Sequence, residues 1–301
     1  MNTQREETIG FIGLGLMGRA FSRNLIEDGY RLVGADPVPA AQDEFKTLGG
    51  SVLASPNEVA ESADFVFISV PNSKISLECA RGEAGYLTAD PDKKPKAVVD
   101  TTTADPEDTR EMARLCAERG FDFMEACVSG NSENVKNRSG LFLVGGEERT
   151  HALVKDMLGR LLSDQIHCGA AGDGATMKVL INYLTCLQRC AIAETLRMGL
   201  RAGVKGELLL DAFMRSAADS RQLRNRGPRM VSGDFSNPVS TLDVLTKDIK
   251  LGLALGQSVD ANMPLGDLCL PFYTYGQELG FGSLDSAAVY KVFEAREESG
   301  G

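Results

Sequence analysis

Histidine is scarce in this sequence, where His151 and His167 are the two copies among 301 residues. The seven cysteines form no Cys-x-x-Cys pair and show no spacing typical of a disulfide framework. Because zinc sites need clustered cysteine and histidine ligands, we expect no metal site. Unpaired cysteines in this number indicate a reducing compartment.

Positively charged residues are also fewer than negatively charged ones. Lysine and arginine number 32 against 42 aspartates and glutamates, which gives a formal net charge of −10. Nucleic acids and anionic membranes attract clustered lysine and arginine, so we expect neither as a partner. No apolar run reaches the ~20 residues that cross a bilayer. The opening residues MNTQREET also lack a signal-peptide or transit-peptide pattern, and we therefore predict a cytoplasmic protein.

A glycine-rich turn follows the first predicted strand, Ile9–Leu14, and leads into a predicted helix, Met17–Glu27. A strand, Gly-x-Gly-x-x-Gly and a helix in this order are typical of dinucleotide binding. The glycines allow a tight turn, close approach of a pyrophosphate and close packing of the helix, and free N–H groups at the helix start bind phosphate. The residues predicted to bind the cofactor here are Gly13, Leu14, Gly15, Leu16, Met17 and Gly18.

Asp36 ends the second predicted strand, Arg31–Ala35, and bears on the choice of cofactor. Its carboxylate can accept hydrogen bonds from both ribose hydroxyls of NAD, whereas the 2′-phosphate of NADP would meet a like charge and no arginine within 36–39. An aspartate that merely ends a strand before Pro37 is the alternative. We predict that NAD is preferred over NADP.

Three further predicted strands end in turn or polar residues. The carboxyl ends of parallel strands form the edge at which open sheets bind ligands. After the strands at 65–70 and 97–100, we predict cofactor contacts, although the threonines at 101–103 could instead cap the next helix. After the strand at 121–128, a Ser-Gly-Asn turn offers donors that suit a substrate carboxylate, or is simply a turn. The predicted residues are Val70, Pro71, Asn72 and Thr102 for the cofactor, and Ser129, Gly130 and Asn131 for the substrate.

The longest predicted helix runs from Gly174 to about Gly203 without a proline. Its apolar residues cover several faces, so we expect it to be packed on most sides. Lys178, Asn182 and Thr185 form one narrow polar line along it. Lys178 either extends to water from the first turn or faces a cleft that holds the cofactor.

Strand and helix patterns alternate up to this helix, and helical patterns alone follow it. We predict an α/β Rossmann domain with a doubly wound sheet at residues 1–170 and an all-α C-terminal domain at 171–301, with helices near 206–218, 241–259, 265–279 and 283–297. We interpret residues 220–238 as a loop that flanks the active site or is solvated; it carries Arg221, Arg224, Arg226 and Arg229. By its spacing alone, Lys247-Asp248 is a surface ion pair.

Together these segments resemble the β-hydroxyacid dehydrogenase family, typified by 3-hydroxyisobutyrate dehydrogenase and tartronate semialdehyde reductase. Four stretches match in order: the glycine motif at 13–18, Ser129-Gly130, the helix start Gly172-x-Gly174-x-x-x-Lys178 with Asn182, and Lys247-Asp248. The resemblance implies the same two-domain fold and a homodimer or homotetramer.

The resemblance also implies roles for single residues. The lysine matching Lys178 is the general acid or base, and the asparagine matching Asn182 helps to hold the substrate. The Ser-Gly turn binds the substrate carboxylate. The lysine matching Lys247 closes over the nicotinamide region.

Two departures from the family pattern put the substrate in doubt. The family commonly has Asp-Ala-Pro-Val-Ser-Gly-Gly where this chain has Glu125-Ala126-Cys127-Val128-Ser129-Gly130-Asn131. It also commonly pairs two asparagines where Ile181-Asn182 stands here. Hydroxyisobutyrate, serine, glycerate and aldonates all stay open as substrates.

The sequence thus predicts an NAD-dependent oxidoreductase that transfers a hydride between the nicotinamide and a small β-hydroxy acid. The anchored carboxylate would position the alcohol carbon, and a neutral Lys178 would remove the hydroxyl proton. Three alternatives remain: a reductase of a short semialdehyde such as tartronate semialdehyde, an imine reductase, whose family usually replaces the lysine matching Lys178, and a non-catalytic NAD-binding protein.

Overall fold

The computed structural model describes residues 5–298. The chain divides into two compact units, at residues 1–178 and 179–301. The division lies inside the long helix, whose first residues belong to the N-terminal unit. The sequence places the domain boundary earlier, at residue 170, in the glycine-rich segment before this helix.

The N-terminal unit contains one sheet of eight strands in the order β3-β2-β1-β4-β5-β6-β7-β8. Neighbouring strands are parallel except for the antiparallel pair β6 and β7. The strand order reverses between β1 and β4, which is the switch point where doubly wound sheets bind ligands. The strands are β1 Thr8–Ile12, β2 Arg31–Ala35, β3 Ser51–Val52, β4 Phe65–Ile68, β5 Ala97–Asp100, β6 Phe123–Ser129, β7 Leu141–Gly146 and β8 Asp164–Gly169.

Helices cover both faces of this sheet, so its central strands are continuous apolar runs rather than alternating ones. All residues of β1, β4 and β5 are buried. Phe11 and Phe67 stack in one of the two apolar cores, with ring centroids 5.4 Å apart. The helices of this unit are α1 Leu16–Glu27, α2 Pro39–Thr47, α3 Pro56–Ser62, α4 Ser73–Arg81, α5 Pro106–Glu118, α6 Ser132–Lys136 and α7 Glu148–Leu161.

The strand register aligns the carboxyl ends of β1, β2, β4 and β5, where parallel sheets bind ligands. Ile12 is opposite both Ala35 and Ile68, Ile68 is opposite Asp100, and Asp100 is opposite Glu125. The segments that leave β1, β2, β4 and β5 after this row therefore emerge at one edge of the sheet. The predicted doubly wound fold is confirmed.

The long helix α8, Asp173–Arg201, and five further helices follow. In the C-terminal unit, the buried Tyr273 hydroxyl donates to the Cys186 carbonyl oxygen over 2.8 Å. The helices after α8 are α9 Gly206–Met214, α10 Arg221–Ser232, α11 Leu242–Ser258, α12 Pro264–Glu278 and α13 Val289–Glu298.

Two expectations for this unit are wrong. Residues 221–232 form helix α10 rather than a loop, because Ser220 accepts from the Leu223 N–H at its start and Gly233 ends it with φ +70°. Arg226 on this helix is buried and forms an ion pair with Asp285. The long helix is also less covered than expected, since Leu180 and Leu184 are 47% and 55% exposed.

Candidate active site

The glycine turn between β1 and α1 has the conformation that a dinucleotide requires. Gly13 has φ +94°, and a Cβ there would lie 2.3 Å from the Ser69 carbonyl oxygen. A Cβ on Gly18 would lie 2.1 Å from the Gly13 carbonyl oxygen. Both positions therefore require glycine for close packing.

Gly15, by contrast, faces open space, since a Cβ there would meet nothing within 4 Å. It is the N-cap of α1 and supplies no side-chain cap, and no acidic residue lies in the first turn. The N–H groups at this helix start can thus receive a phosphate. This turn fits a dinucleotide pyrophosphate.

Asp36 is fixed beside this turn by backbone hydrogen bonds. Its Oδ2 accepts from the Leu14 N–H over 2.7 Å, and its Oδ1 accepts from the Val38 N–H over 2.8 Å. A carboxylate has about four lone-pair sites, so both oxygens retain capacity to accept from a ribose hydroxyl. The predicted cofactor-selecting residue is thereby tied to the predicted phosphate-binding turn.

The ends of β4 and β5 are joined by side-chain contacts. The Thr102 Oγ1 accepts from the Val70 N–H over 3.3 Å, and the Thr102 N–H donates to Asp100 Oδ1 over 2.8 Å. Pro71 is exposed, and Asn72 is the N-cap of α4. The alternative role for the threonines, capping the next helix, is wrong because Asp105 caps α5.

A buried carboxylate on β6 holds the start of α8. Glu125 is 2% exposed, and its Oε1 accepts from the N–H groups of Gly172 at 2.7 Å and Gly174 at 2.9 Å. Its Oε2 accepts from the Ala175 N–H at 2.9 Å. Burial raises the pKa of Glu125 to about 7, although these N–H donors oppose the shift. No local pattern in the sequence reveals this role of Glu125, since its bonding partners lie 47 to 50 positions away.

The predicted substrate turn continues directly from β6. Ser129 is half-buried and Gly130 is exposed. Asn131 is the N-cap of α6: its Oδ1 accepts from the Asn134 N–H over 2.9 Å, and Asn134 Oδ1 accepts from the Asn131 N–H over 3.0 Å. The cap uses the side-chain oxygen Oδ1 of Asn131. Its side-chain nitrogen Nδ2 is therefore the group that can donate to a carboxylate.

Lys178 is half-buried in the second turn of α8. Its charge acts on the thiol of Cys127, which lies on β6 two residues before Ser129. Burial nevertheless raises the pKa of Cys127 well above its ordinary value, so this thiol is not a reactive nucleophile. Cys127 Sγ also donates to the Thr102 carbonyl oxygen over 3.5 Å. Thr102 and β6 are thereby in contact, and Lys178 lies near enough to β6 for its charge to act on Cys127.

Asn182 and Lys247 belong to the C-terminal unit, where Asp248 contacts both. Asn182 Nδ2 donates to Asp248 Oδ2 over 3.0 Å, and Lys247 Nζ lies 3.4 Å from Asp248 Oδ1. Asp248 is buried, so the interpretation of Lys247-Asp248 as a surface ion pair is wrong for the carboxylate. Asp248 orients the Asn182 amide, whose Oδ1 can then accept from a ligand hydroxyl.

Residues 5–298 contain no group of three histidine, cysteine, aspartate or glutamate side chains that could hold a metal ion. Over the same residues, no helix has the length and apolar character needed to cross a membrane.

Two family models cover most of the chain. One, described as the NAD binding domain of 6-phosphogluconate dehydrogenase, matches residues 8–169. The other, described as NAD-binding of NADP-dependent 3-hydroxyisobutyrate dehydrogenase, matches residues 172–293.

Individual proteins match over nearly the whole length. The mitochondrial 3-hydroxyisobutyrate dehydrogenase of Rattus norvegicus is 32% identical over 298 residues, covering 96% of this chain and 88% of that protein. The 2-hydroxy-3-oxopropionate reductase of Escherichia coli K12 is 31% identical over 286 residues, covering 95% and 97%. A solved structure of the Mycobacterium tuberculosis 3-hydroxyisobutyrate dehydrogenase with L-serine superposes with a TM-score of 0.87 at 27% identity, covering 96% of this chain and 99% of that one.

Proposed function

This chain belongs to the β-hydroxyacid dehydrogenase family, and we propose that it oxidises a short β-hydroxy acid with NAD, using Lys178 as the general base. Hydride transfer between a nicotinamide cofactor and a small hydroxy acid is the activity of the family. The choice of NAD, the residue roles and the substrate are the proposal.

The preference for NAD rests on Asp36. Its carboxylate lies beside the glycine turn and is held there through the Leu14 and Val38 N–H groups. A 2′-phosphate placed on this carboxylate would meet a like charge, whereas a ribose diol would donate to it. The other proposed cofactor contacts are Gly13, Leu14, Gly15, Leu16, Met17, Gly18, Val70, Pro71, Asn72, Thr102 and Lys247.

The substrate carboxylate is proposed to bind at the turn after β6, where Ser129, Gly130 and Asn131 offer a hydroxyl, a backbone N–H and an amide. Fixing the carboxylate sets the position of the alcohol carbon, which is the orientation part of catalysis. Bound nicotinamide supplies the hydride acceptor. Asn182 helps to hold the substrate, and its amide is oriented by Asp248.

Lys178 takes the hydroxyl proton of the substrate on Nζ. A lysine accepts a proton only as the neutral amine, so we expect oxidation to be faster at alkaline pH. The observation that carries this assignment is the position of Lys178 on α8, whose first turn is bonded to β6, the strand that ends in Ser129.

Reduction of a short semialdehyde is a second candidate, and the identity with the Escherichia coli reductase favours it. The same residues would act, with Lys178 donating the proton to the forming alkoxide. An imine reductase is disfavoured because Lys178 is present. The hydroxyl, backbone N–H and amide that Ser129, Gly130 and Asn131 offer to a substrate disfavour a non-catalytic NAD-binding protein.

The proposed function is tested with a panel of short hydroxy acids, including hydroxyisobutyrate, serine, glycerate and aldonates. Each is mixed with NAD or NADP, and the absorbance of the reduced nicotinamide is followed. Turnover of at least one β-hydroxy acid, faster with NAD, is the expected result. Tight NADH binding without turnover of any hydroxy acid, semialdehyde or cyclic imine would instead indicate a non-catalytic protein.

A homodimer or homotetramer in the cytoplasm is also proposed. Support for self-association comes from large apolar side chains on the C-terminal unit that are more than 45% exposed. They are Leu180, Leu184, Met198, Leu208, Val239, Val259, Leu265 and Leu268. Exposed apolar surface of this kind marks protein interfaces. We also propose that residues 1–170 act as the cofactor-binding domain and residues 171–301 as the helical domain.

A further inference from the structure

The first turn of α8 is capped by Glu125 of β6. A helix start leaves about four backbone N–H groups without partners inside the helix. In α8, the N–H groups of Gly174 and Ala175 and that of the preceding Gly172 all donate to this one carboxylate. Such caps normally come from the residue next to the helix, whereas this one joins the helix to a distant strand.

The surroundings of Glu125 are shaped to admit its side chain. A Cβ on Gly145 would lie 2.2 Å from Glu125 Oε1, and a Cβ on Gly174 would lie 3.1 Å from its carboxyl carbon. Glutamate is one methylene longer than the aspartate that is common at this position in the family. Glycine at positions 145 and 174 leaves space for the Glu125 side chain.

The same strand also carries the proposed substrate turn. Glu125 lies four positions before Ser129 on β6, and Ala175 lies three positions before Lys178 on α8. One side chain therefore connects the strand that ends in the carboxylate-binding turn to the helix turn that precedes the proposed base. We propose that Glu125 is a positioning residue that sets the location of Lys178 relative to the Ser129 turn, an inference that rests on the proposed function.

The anchor, meaning the three hydrogen bonds from the start of α8 to the Glu125 carboxylate, depends on the charge of Glu125. Protonation would convert one acceptor oxygen into a hydroxyl donor, so one of the three N–H contacts would be weakened. Because burial raises the pKa of this carboxyl to about 7, the change falls near neutral pH. The titratable and charged groups facing this region are Asp100 on β5, Arg110 on α5, Cys127 on β6, Cys168 on β8, and Asp173 and Lys178 on α8.

The direct test compares Glu125→Gln with the wild type and with Asp173→Asn. Glutamine keeps the volume of the side chain but presents an amide in place of one acceptor oxygen. Asp173 is a matched control because its carboxylate lies at the same helix start. It accepts from the Ala170 N–H and not from the N–H groups of Gly172, Gly174 and Ala175. We expect Glu125→Gln to lower kcat by about tenfold or more, because a misplacement of ~1 Å in a reacting group costs on the order of a hundredfold.

Three readouts separate positioning from general damage. In Glu125→Gln, the Kd for NADH should stay unchanged. The pH profile of kcat should lose its inflection near 7 in the same variant. Glu125→Asp, which retains the charge, should recover part of the rate. Asp173→Asn should keep the wild-type rate and profile. A stable Glu125→Gln enzyme with the wild-type kcat and pH profile would overturn the proposal.

Hydrogen exchange gives a readout that needs neither turnover nor a variant. In the wild type, the amides of Gly172, Gly174 and Ala175 should be protected. Their protection against local opening of the helix start, in which Glu125 stays buried, should fall when the pH is lowered from 8 to 6, after correction for intrinsic rates. Unchanged protection across this range would contradict the anchor. If Lys178→Ala keeps full turnover, the proposed function fails; if Lys178→Ala loses turnover but Glu125→Gln does not, the positioning role alone fails.

Discussion

Asp36 is bonded to the glycine turn and is the residue that we propose to bind the cofactor ribose. Its two oxygens accept from the Leu14 and Val38 N–H groups, which keeps the side chain against the glycine turn. In the proposed complex, this negative charge lies at the place where the two nicotinamide cofactors differ. We expect discrimination to depend on charge repulsion as well as on hydrogen bonding.

Replacing Asp36 with asparagine should weaken the preference for NAD. The amide keeps one acceptor oxygen but removes the charge that repels a 2′-phosphate. We expect the ratio of kcat/KM for NAD to that for NADP to fall by about tenfold, which corresponds to roughly 1.4 kcal/mol. Steady-state kinetics with both cofactors would measure it, and an unchanged ratio would show that Asp36 does not select the cofactor.

Glu125 predicts a specific dependence of stability on pH. Burial raises its pKa from the ordinary 4.5 to about 7, so between these values the folded chain retains a proton that the unfolded chain releases. Stability from this group is complete below the unfolded pKa and is lost as the pH rises through the folded one. Urea unfolding from pH 5 to pH 8 should show a loss for the wild type that exceeds that of Glu125→Gln by up to about 3 kcal/mol. Parallel curves for the two proteins would contradict the raised pKa.

Most residues of the candidate site could be predicted because their signals are local. The glycine turn and Asp36 stand at fixed offsets from a strand, and the structure places them together. Glu125 could not be found in this way, because a glutamate within an apolar strand has no local sign of its partners. Nor does the sequence show that the Asn131 side chain caps a helix, since α6 has five residues and no apolar periodicity.

Helix α10 illustrates why an element can escape prediction. Its four arginines and Pro228 are typical of a solvated loop, yet Leu223, Arg226 and Met230 are buried on one side of it. Arg226 can be buried because the fully buried Asp285 is its partner at 3.4 Å. The partner lies 59 positions away, so no local pattern reveals it.

Loss of the ion pair between Arg226 and Asp285 should destabilise the C-terminal unit. We expect Arg226→Leu to lower the free energy of unfolding by up to about 3 kcal/mol, because it removes the nearer counterion of the buried Asp285 carboxylate and leaves it only Arg229, at 4.0 Å. Arg221→Leu on the same helix is the matched control, and its exposed side chain should contribute no more than about 0.5 kcal/mol. Denaturant titrations of the two variants would test this, and equal losses would argue against a structural role for the buried pair.

At the level of elements, the fold was largely predictable. Apolar runs followed by turn residues predicted the strands at 65–70 and 97–100, which the structure has as Phe65–Ile68 and Ala97–Asp100. The long helix was predicted from Gly174 to about Gly203 and extends from Asp173 to Arg201. Helix α4 was not predicted, because its sequence SKISLECAR is short and mostly polar.

In the whole molecule, the proposed roles are divided between the two units. The N-terminal unit carries the glycine turn, Asp36, the Ser129 turn and, as its last residue, Lys178. The C-terminal unit carries Asn182 and Lys247, both in contact with Asp248. Helix α8 belongs to both units, so its start is held by the cofactor-binding part of the chain and its remainder packs in the helical core.

The kinetics of Lys178→Ala test the central claim most directly. With a hydroxy acid that the wild type oxidises, we predict that the variant loses between about a hundredfold and ten-thousandfold in kcat, the usual contribution of a general base, while its Kd for NADH is unchanged. Lys155→Ala, which removes an exposed lysine from the same unit, should retain the wild-type rate. A Lys178→Ala enzyme with near-normal kcat at saturating substrate would contradict the account.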